Sequence, residues 1–121
     1  MIDESSSGGS RAEEIVELVG LTVCSRCDAG RHTIVLAGEI DIATAGDVEQ
    51  ELLQAEASGA DQIVLDLSGV TFMDSTAIRL LLAADMCSRA NGSRLSLLRP
   101  AGIVMRVLRI AGVDDVLPFT D

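Results

Sequence analysis

Apolar positions along the chain change their spacing several times, and each change marks an element. The run His32-Thr33-Ile34-Val35-Leu36-Ala37 reads as a strand inside a segment from Arg31 to Ile40. Gln62 to Leu67 is almost continuously apolar, which suits a buried parallel strand, and Arg94 to Leu98 is a shorter strand. Ala45, Val48, Leu52 and Ala55 recur at helical spacing and predict a helix over Ala43 to Ser58. Its solvated face is mostly acidic, Asp41 sits at the cap position and Gly59 closes it. A second helix runs to about Ala90, with Ile78, Leu81, Leu82 and Met86 as its inner stripe. A third opens after Pro100, with Ile103, Val104, Val107, Leu108 and Ala111 inward and Arg106 and Arg109 outward. Ile15 to Asp28 contains further strand formers, and the short link Asp28-Ala29-Gly30 predicts a hairpin into Arg31–Ile40. Val116-Leu117 suggests a short last strand. Met1 to Glu14 is small and polar and reads as a disordered tail, leaving residues 15–121 as one domain.

The resulting order is β-β-α-β-α-β-α-β. Strands 31–40, 62–67 and 94–98 are separated by lengths that fit right-handed crossovers, so all three should be parallel. Their carboxyl ends then share one sheet edge, the edge where open α/β sheets tend to hold ligands. The turns at Asp41 and Ser75, 34 positions apart, should meet there.

Composition narrows the possibilities. The chain has 121 residues, 48% of them apolar, but Phe72 and Phe119 are the only aromatic ones, so the core must be aliphatic. A net charge of -10 argues against nucleic acid and against an anionic membrane surface, and favours a protein or a cationic ligand. All nine basic residues are arginine, which excludes any mechanism needing a lysine from this chain. There is no signal-peptide pattern and no apolar run long enough to span a bilayer, so a cytoplasmic location is expected. Cys24-Ser25-Arg26-Cys27 has redox spacing, but residues three apart on a strand point to opposite faces, and the cysteines read as incidental.

Candidate chemistry concentrates at Val70 to Arg79. An acid and two hydroxyls, Asp74, Ser75 and Thr76, stand between an apolar strand and a helix-forming run. Such residues favour helix N-termini because their oxygens accept from free backbone N–H groups. The same position suits a phosphate. Asp74 reads equally as cap or as functional acid, and Asp41 equally as cap or as contact residue. No enzyme reading is favoured. A serine hydrolase needs a base near Ser75, whereas the single histidine, His32, sits at the far end of its strand from Asp41 and reads as an exposed strand residue. A phosphoaspartate receiver, with Asp66 or Asp74 as acceptor, lacks its lysine. Asp41, Asp66 and Asp74 have no metal-ligand spacing, and no cofactor or metal is expected.

Four segments carry a resemblance: Gly38-Glu39-Ile40-Asp41, the strand Ile63 to Leu67, Phe72-Met73-Asp74-Ser75-Thr76-Ala77, and Pro100 through Gly112. They resemble the bacterial anti-sigma-factor antagonists, soluble members of the STAS domain family, over roughly residues 18 to 119. The resemblance implies a single STAS-like α/β domain with a mixed four- to five-stranded sheet and three or more helices. It also implies binding to an anti-sigma factor that is a serine kinase with a histidine-kinase-like ATPase fold. Ser75 corresponds to the usual phosphoacceptor, and phosphorylation there should turn binding off. Asp41, Ile42, Ala43, Asp74, Ser75, Thr76, Ile78 and Arg79 form the implied partner-binding set. Two positions depart from the family pattern. Ala77 stands where glycine is frequent and adds a methyl expected to hinder a kinase, and Arg79 stands where a small residue is frequent. Arg79 either pairs with a phosphate or is solvated. A STAS module that scaffolds or senses a ligand without phosphorylation is the alternative.

Overall fold

A computed structural model describes residues 11–120. Nine elements follow in order: β1 (Arg11–Leu18), β2 (Leu21–Asp28), β3 (Arg31–Ile40), α1 (Ala45–Ala57), β4 (Gln62–Met73), α2 (Ser75–Ala90), β5 (Leu95–Leu98), α3 (Gly102–Ile110) and β6 (Phe119–Thr120). The strands form one mixed sheet in spatial order β1-β2-β3-β4-β5-β6. β1, β2 and β3 are antiparallel neighbours, whereas β3 to β6 run parallel, as the crossover lengths require.

The sheet has six strands rather than four or five. The run from Ile15 to Asp28 is divided by a turn at Val19-Gly20, and β1 begins at Arg11. Residues 11–14, read from sequence as tail, therefore belong to a strand; the remainder of that reading, residues 1–10, lies outside the described residues. β1 looked unlike a strand because Glu13, Glu14 and Glu17 interrupt it. It is an edge strand, where charges discourage pairing with another chain. The last strand is Phe119–Thr120, three residues further along than the expected Val116-Leu117.

The hairpin at Asp28-Ala29-Gly30-Arg31 forms as its residues predict. Ala29 and Gly30 both have positive φ, 53° and 80°, which matches the right-handed twist of the flanking strands. It sets Cys27 opposite His32, and Ser25 opposite Ile34. Alternate residues of β2 to β5, including Leu21, Val23, Ile34, Leu36, Ile63, Leu65, Leu95 and Leu97, are buried, and they form one aliphatic core with the inner faces of the helices.

The helices keep their predicted spans but two turn differently. On α2 the buried residues are Ala77, Leu80, Leu81, Asp85 and Ser88; Ile78 and Leu82 are only partly covered and Met86 is 71% exposed. On α3, Val104, Met105 and Leu108 face the core, while Ile103 is 70% exposed and Val107 and Ala111 also face outward. Arg106 and Arg109 are exposed, as expected.

His32 is buried, not exposed. Its Nε2 lies 2.8 Å from Ser25 Oγ and its Nδ1 3.3 Å from Cys27 Sγ, so both ring nitrogens are satisfied inside the hairpin. Burial holds its pKa below the usual imidazole value. All three cysteines are free, and Cys24 and Cys27 fall on opposite faces of β2.

Two positions give stability predictions. Gly38 has φ +118°, and a Cβ there would lie 2.2 Å from the Gly20 carbonyl oxygen. Gly38→Ala should cost about 2–4 kcal/mol in urea unfolding. Glu51, on the buried face of α1, has an Oε1 with no hydrogen-bond partner among the described residues. Burial first, and then the charge of Glu14, raise its pKa, and a hydrogen bond from Ser25 offsets part of this. A carboxyl whose pKa is raised on folding costs stability above that pKa, and the cost fades as pH falls through it. Glu51→Gln should therefore stabilise the fold by about 0.5–1 kcal/mol at pH 7, with the advantage shrinking toward pH 4, as read by thermal unfolding across pH.

Candidate functional site

The parallel strands β3 and β4 end side by side because β4 is the longer partner. Arg31 pairs with Gln62 at one end and Ile40 with Met73 at the other, and two irregularities between them let β4 gain two residues on β3. At one of these Asp66 Oδ1 accepts the Ser68 N–H at 2.9 Å. The chain leaves β3 at Asp41 and leaves β4 at Asp74, so the two aspartates emerge together at the carboxyl edge of the sheet.

Asp74 is the N-cap of α2. Its Oδ1 accepts the Ala77 N–H at 3.0 Å, while its Oδ2 accepts the Ile42 N–H from the other turn at 3.1 Å. Its own N–H donates to the Ile40 carbonyl at 3.3 Å. One side chain therefore starts the helix and fastens the neighbouring loop to it. Asp41 shapes that loop: its Oδ1 accepts from the N–H groups of Ala43 and Thr44, at 2.9 and 3.2 Å. Asp41 N–H donates to Thr44 Oγ1 at 3.0 Å, and that hydroxyl lies 3.1 Å from the Glu39 carbonyl. The formal cap of α1 is the buried Thr44, which makes no cap bond through its own side chain. Asp41 braces the turn before the helix, and its backbone carbonyl accepts the Ala45 N–H at 2.8 Å. Thr44 is a site residue that pattern reading missed; a hydroxyl three positions after an aspartate was the available signal.

Ser75, the first residue of α2, is exposed, and its hydroxyl makes no hydrogen bond within the described residues. Thr76 is half-buried, and Arg79 is exposed one turn further along. A shallow depression of about 310 Å³ lies between Ile42, Ala45 and Gly46 on one side and Thr76 and Arg79 on the other. Ile42 is 79% exposed, an apolar side chain held out at the rim. Ala43 is exposed and Asp41 and Asp74 are half-buried, so the expected set comes together, except that Ile78 leans onto the core. Ala77 corrects the expectation that its methyl obstructs Ser75: the residue is fully buried, with the methyl in the core. His32 lies at the far end of β3, beside Ser25 rather than Ser75. Among the described residues, no group of three or more acidic, His or Cys side chains is placed to hold a metal ion. No helix there is long and apolar enough to cross a membrane.

Residues 26–118 match the family model described as "Mlab, STAS domain". The chain belongs to the STAS domain family. It is 26% identical over 86 residues to the anti-sigma-B factor antagonist of Staphylococcus aureus, covering 71% of this chain and 80% of that one. The crystal structure of an anti-sigma factor antagonist from Mycobacterium paratuberculosis superposes with a TM-score of 0.65 at 22% identity, over 95% of this chain and 89% of that one. The Bacillus protein SpoIIAA, an anti-sigma factor antagonist, superposes at 0.64 in its unphosphorylated form, with 24% identity over 91% of this chain and 87% of that one. In its phosphorylated form it superposes at 0.60, with 23% identity over 91% and 90%. These structures share the fold of this STAS domain.

The double role of Asp74 is open to measurement. Asp74→Ala should cost about 1–2 kcal/mol of stability through the lost cap. Amide hydrogen exchange should quicken at both Ile42 and Ala77, whereas Ser75→Ala should leave both amides protected.

Proposed function

We propose that this STAS domain is an anti-sigma factor antagonist whose unmodified form binds an anti-sigma factor and whose phosphorylation at Ser75 turns that binding off. The reading rests on one observation above all. Ser75 is exposed, with its hydroxyl unbonded among the described residues, at the start of a 16-residue helix, next to the carboxylate that ties the two turns together. Asp41, Ile42, Ala43, Asp74, Ser75, Thr76 and Arg79 form the contact face, and Ile78 supports it from beneath. The partner implied by the resemblance is a serine kinase with a histidine-kinase-like ATPase fold, acting in the cytoplasm. The acidic character of this chain suits a partner face rich in Arg or Lys.

The switch follows from charge placed beside Asp74. A phosphate adds about -1.5 to -2 charges. The positive helix end accommodates it in the free protein. At ~6 Å from the Asp74 carboxylate, with an effective dielectric of ~40, the repulsion is roughly 2 kcal/mol. That matches what one charge-assisted hydrogen bond contributes, so the link from Asp74 to Ile42 is the contact most exposed to it. The partner would then meet both a charge to desolvate and a displaced Ile42. A scaffolding or ligand-sensing STAS module without phosphorylation drew its support from Ala77, and the buried methyl removes that support.

Ser75→Ala should bind the anti-sigma factor as the wild type does, and Ser75→Asp at least ~10-fold more weakly by titration calorimetry. Incubation with the kinase and ATP should add one phosphate by intact mass to the wild type and none to Ser75→Ala. Equal affinities for the two variants remove the switch.

A further inference from the structure

At the end of the sheet away from Ser75, four side chains form a polar chain that the proposed function does not use. Cys27 Sγ lies 3.3 Å from His32 Nδ1, His32 Nε2 lies 2.8 Å from Ser25 Oγ, and Glu51 on α1 comes close enough to Ser25 for that hydroxyl to favour its ionised form. Ser25, His32 and Glu51 are buried. A Ser25 hydroxyl turned to an ionised Glu51 sets one direction for the protons. A carboxylate only accepts, so Ser25 donates its single O–H to Glu51. Ser25 must then accept from His32 Nε2–H, which leaves Nδ1 as the lone-pair nitrogen facing the Cys27 thiol. Glu51 is nine-tenths buried beside Ser25 and keeps an Oε1 with no partner among the described residues. That is a costly arrangement for a purely structural side chain.

Cys27 is also reachable. It is half-buried and lines a depression of about 230 Å³ bounded by Ala29, Gly30, Ser58, Gly59 and Ala60. We propose that Cys27 is a reactive thiol with His32 as its base, modified by small soft electrophiles, hydroperoxides among them, that enter this depression. Burial lowers the pKa of the imidazole and so favours its neutral, proton-accepting form. With an alkyl halide, the S–C bond forms as the carbon–halogen bond breaks; the halide leaves and the thiol proton passes to Nδ1 and then to water. With a hydroperoxide, the S–O bond forms as the O–O bond breaks. Cys27 is oxidised to a sulfenic acid, the peroxide is reduced to water or an alcohol, and the departing oxygen takes the proton from His32. Cys24 cannot resolve the product within the chain, because it lies on the other face of β2.

The full chain carries its own controls, since Cys87 is exposed and Cys24 is half-buried on the opposite face. With iodoacetamide limiting, time-resolved peptide mass mapping should show Cys27 alkylated at least ~5-fold faster than Cys87, despite its lower exposure. His32→Gln should slow Cys27 by about 10-fold and leave Cys87 unchanged. Ser25→Ala, which keeps the histidine, should give a smaller slowing and serves if His32→Gln does not fold. After tert-butyl hydroperoxide and dimedone, the sulfenic adduct should appear on Cys27. Cys27 reacting no faster than Cys87, a rate indifferent to both substitutions, or a dimedone adduct absent from Cys27 would each overturn the proposal.

Discussion

The carboxylate of Asp74 holds the carboxyl edge of the parallel strands β3 and β4 together. One oxygen caps α2 and the other grips the Ile42 amide, so the helix start and the neighbouring loop cannot move independently without breaking a charge-assisted hydrogen bond. Everything upstream serves to bring the two turns within reach of that one side chain. The parallel pairing of β3 and β4 aligns them, and the two irregularities in β4 let it end level with β3. Asp41 then curls its own loop so that the Ile42 N–H points toward Asp74. Ser75 gains its exposure from this arrangement. Because the residue before it does the capping, its own hydroxyl is left without a hydrogen bond among the described residues.

Much of this was legible in the residues themselves, for reasons that differ from place to place. The spacing of Ala45, Val48, Leu52 and Ala55 gives one unambiguous stripe, and the structure buries all four. The crossover lengths leave little choice but a parallel arrangement, which forces the Asp41 and Ser75 turns together. α2 was harder, because apolar residues lie on most of its circumference and several rotations satisfy the pattern equally. The cap decides. With Asp74 as N-cap, Ala77 and Leu81 turn inward, and two polar residues, Asp85 and Ser88, go in with them. Asp85 pairs with Arg89 at 3.0 Å, and Ser88 accepts the Leu95 N–H at 2.9 Å. The partner of a buried polar group is often distant in sequence, so its burial is hard to foresee. The same holds for His32, whose partners lie across a hairpin rather than along its own strand.

Charge has a different part in this protein than net composition suggests. The solvated face of α1 and the β1 edge carry much of the acidity, where it keeps surfaces apart rather than building a site. At the functional edge the two carboxylates are spent on backbone N–H groups. What remains free there is a hydroxyl, an exposed isoleucine and an arginine, a mixture suited to selective contact. The only buried carboxylate of the described residues with an unpartnered oxygen is Glu51, far from that edge.

The crossing of Gly38 over the Gly20 carbonyl reaches further than local strain. Glu39 donates its N–H to that same carbonyl at 2.7 Å, so the β1–β2 turn is seated against the strand three residues before Asp41. Position 38 is therefore held to glycine by the backbone of that turn, whatever side chain stands at position 20. A lineage that enlarged the hairpin tip, or let a side chain drift into position 38, would tilt the end of β3 and carry the Asp41 loop with it. The antiparallel strands, which contribute no residue to the edge formed by the Asp41 and Asp74 turns, thus set a limit on how that edge can evolve.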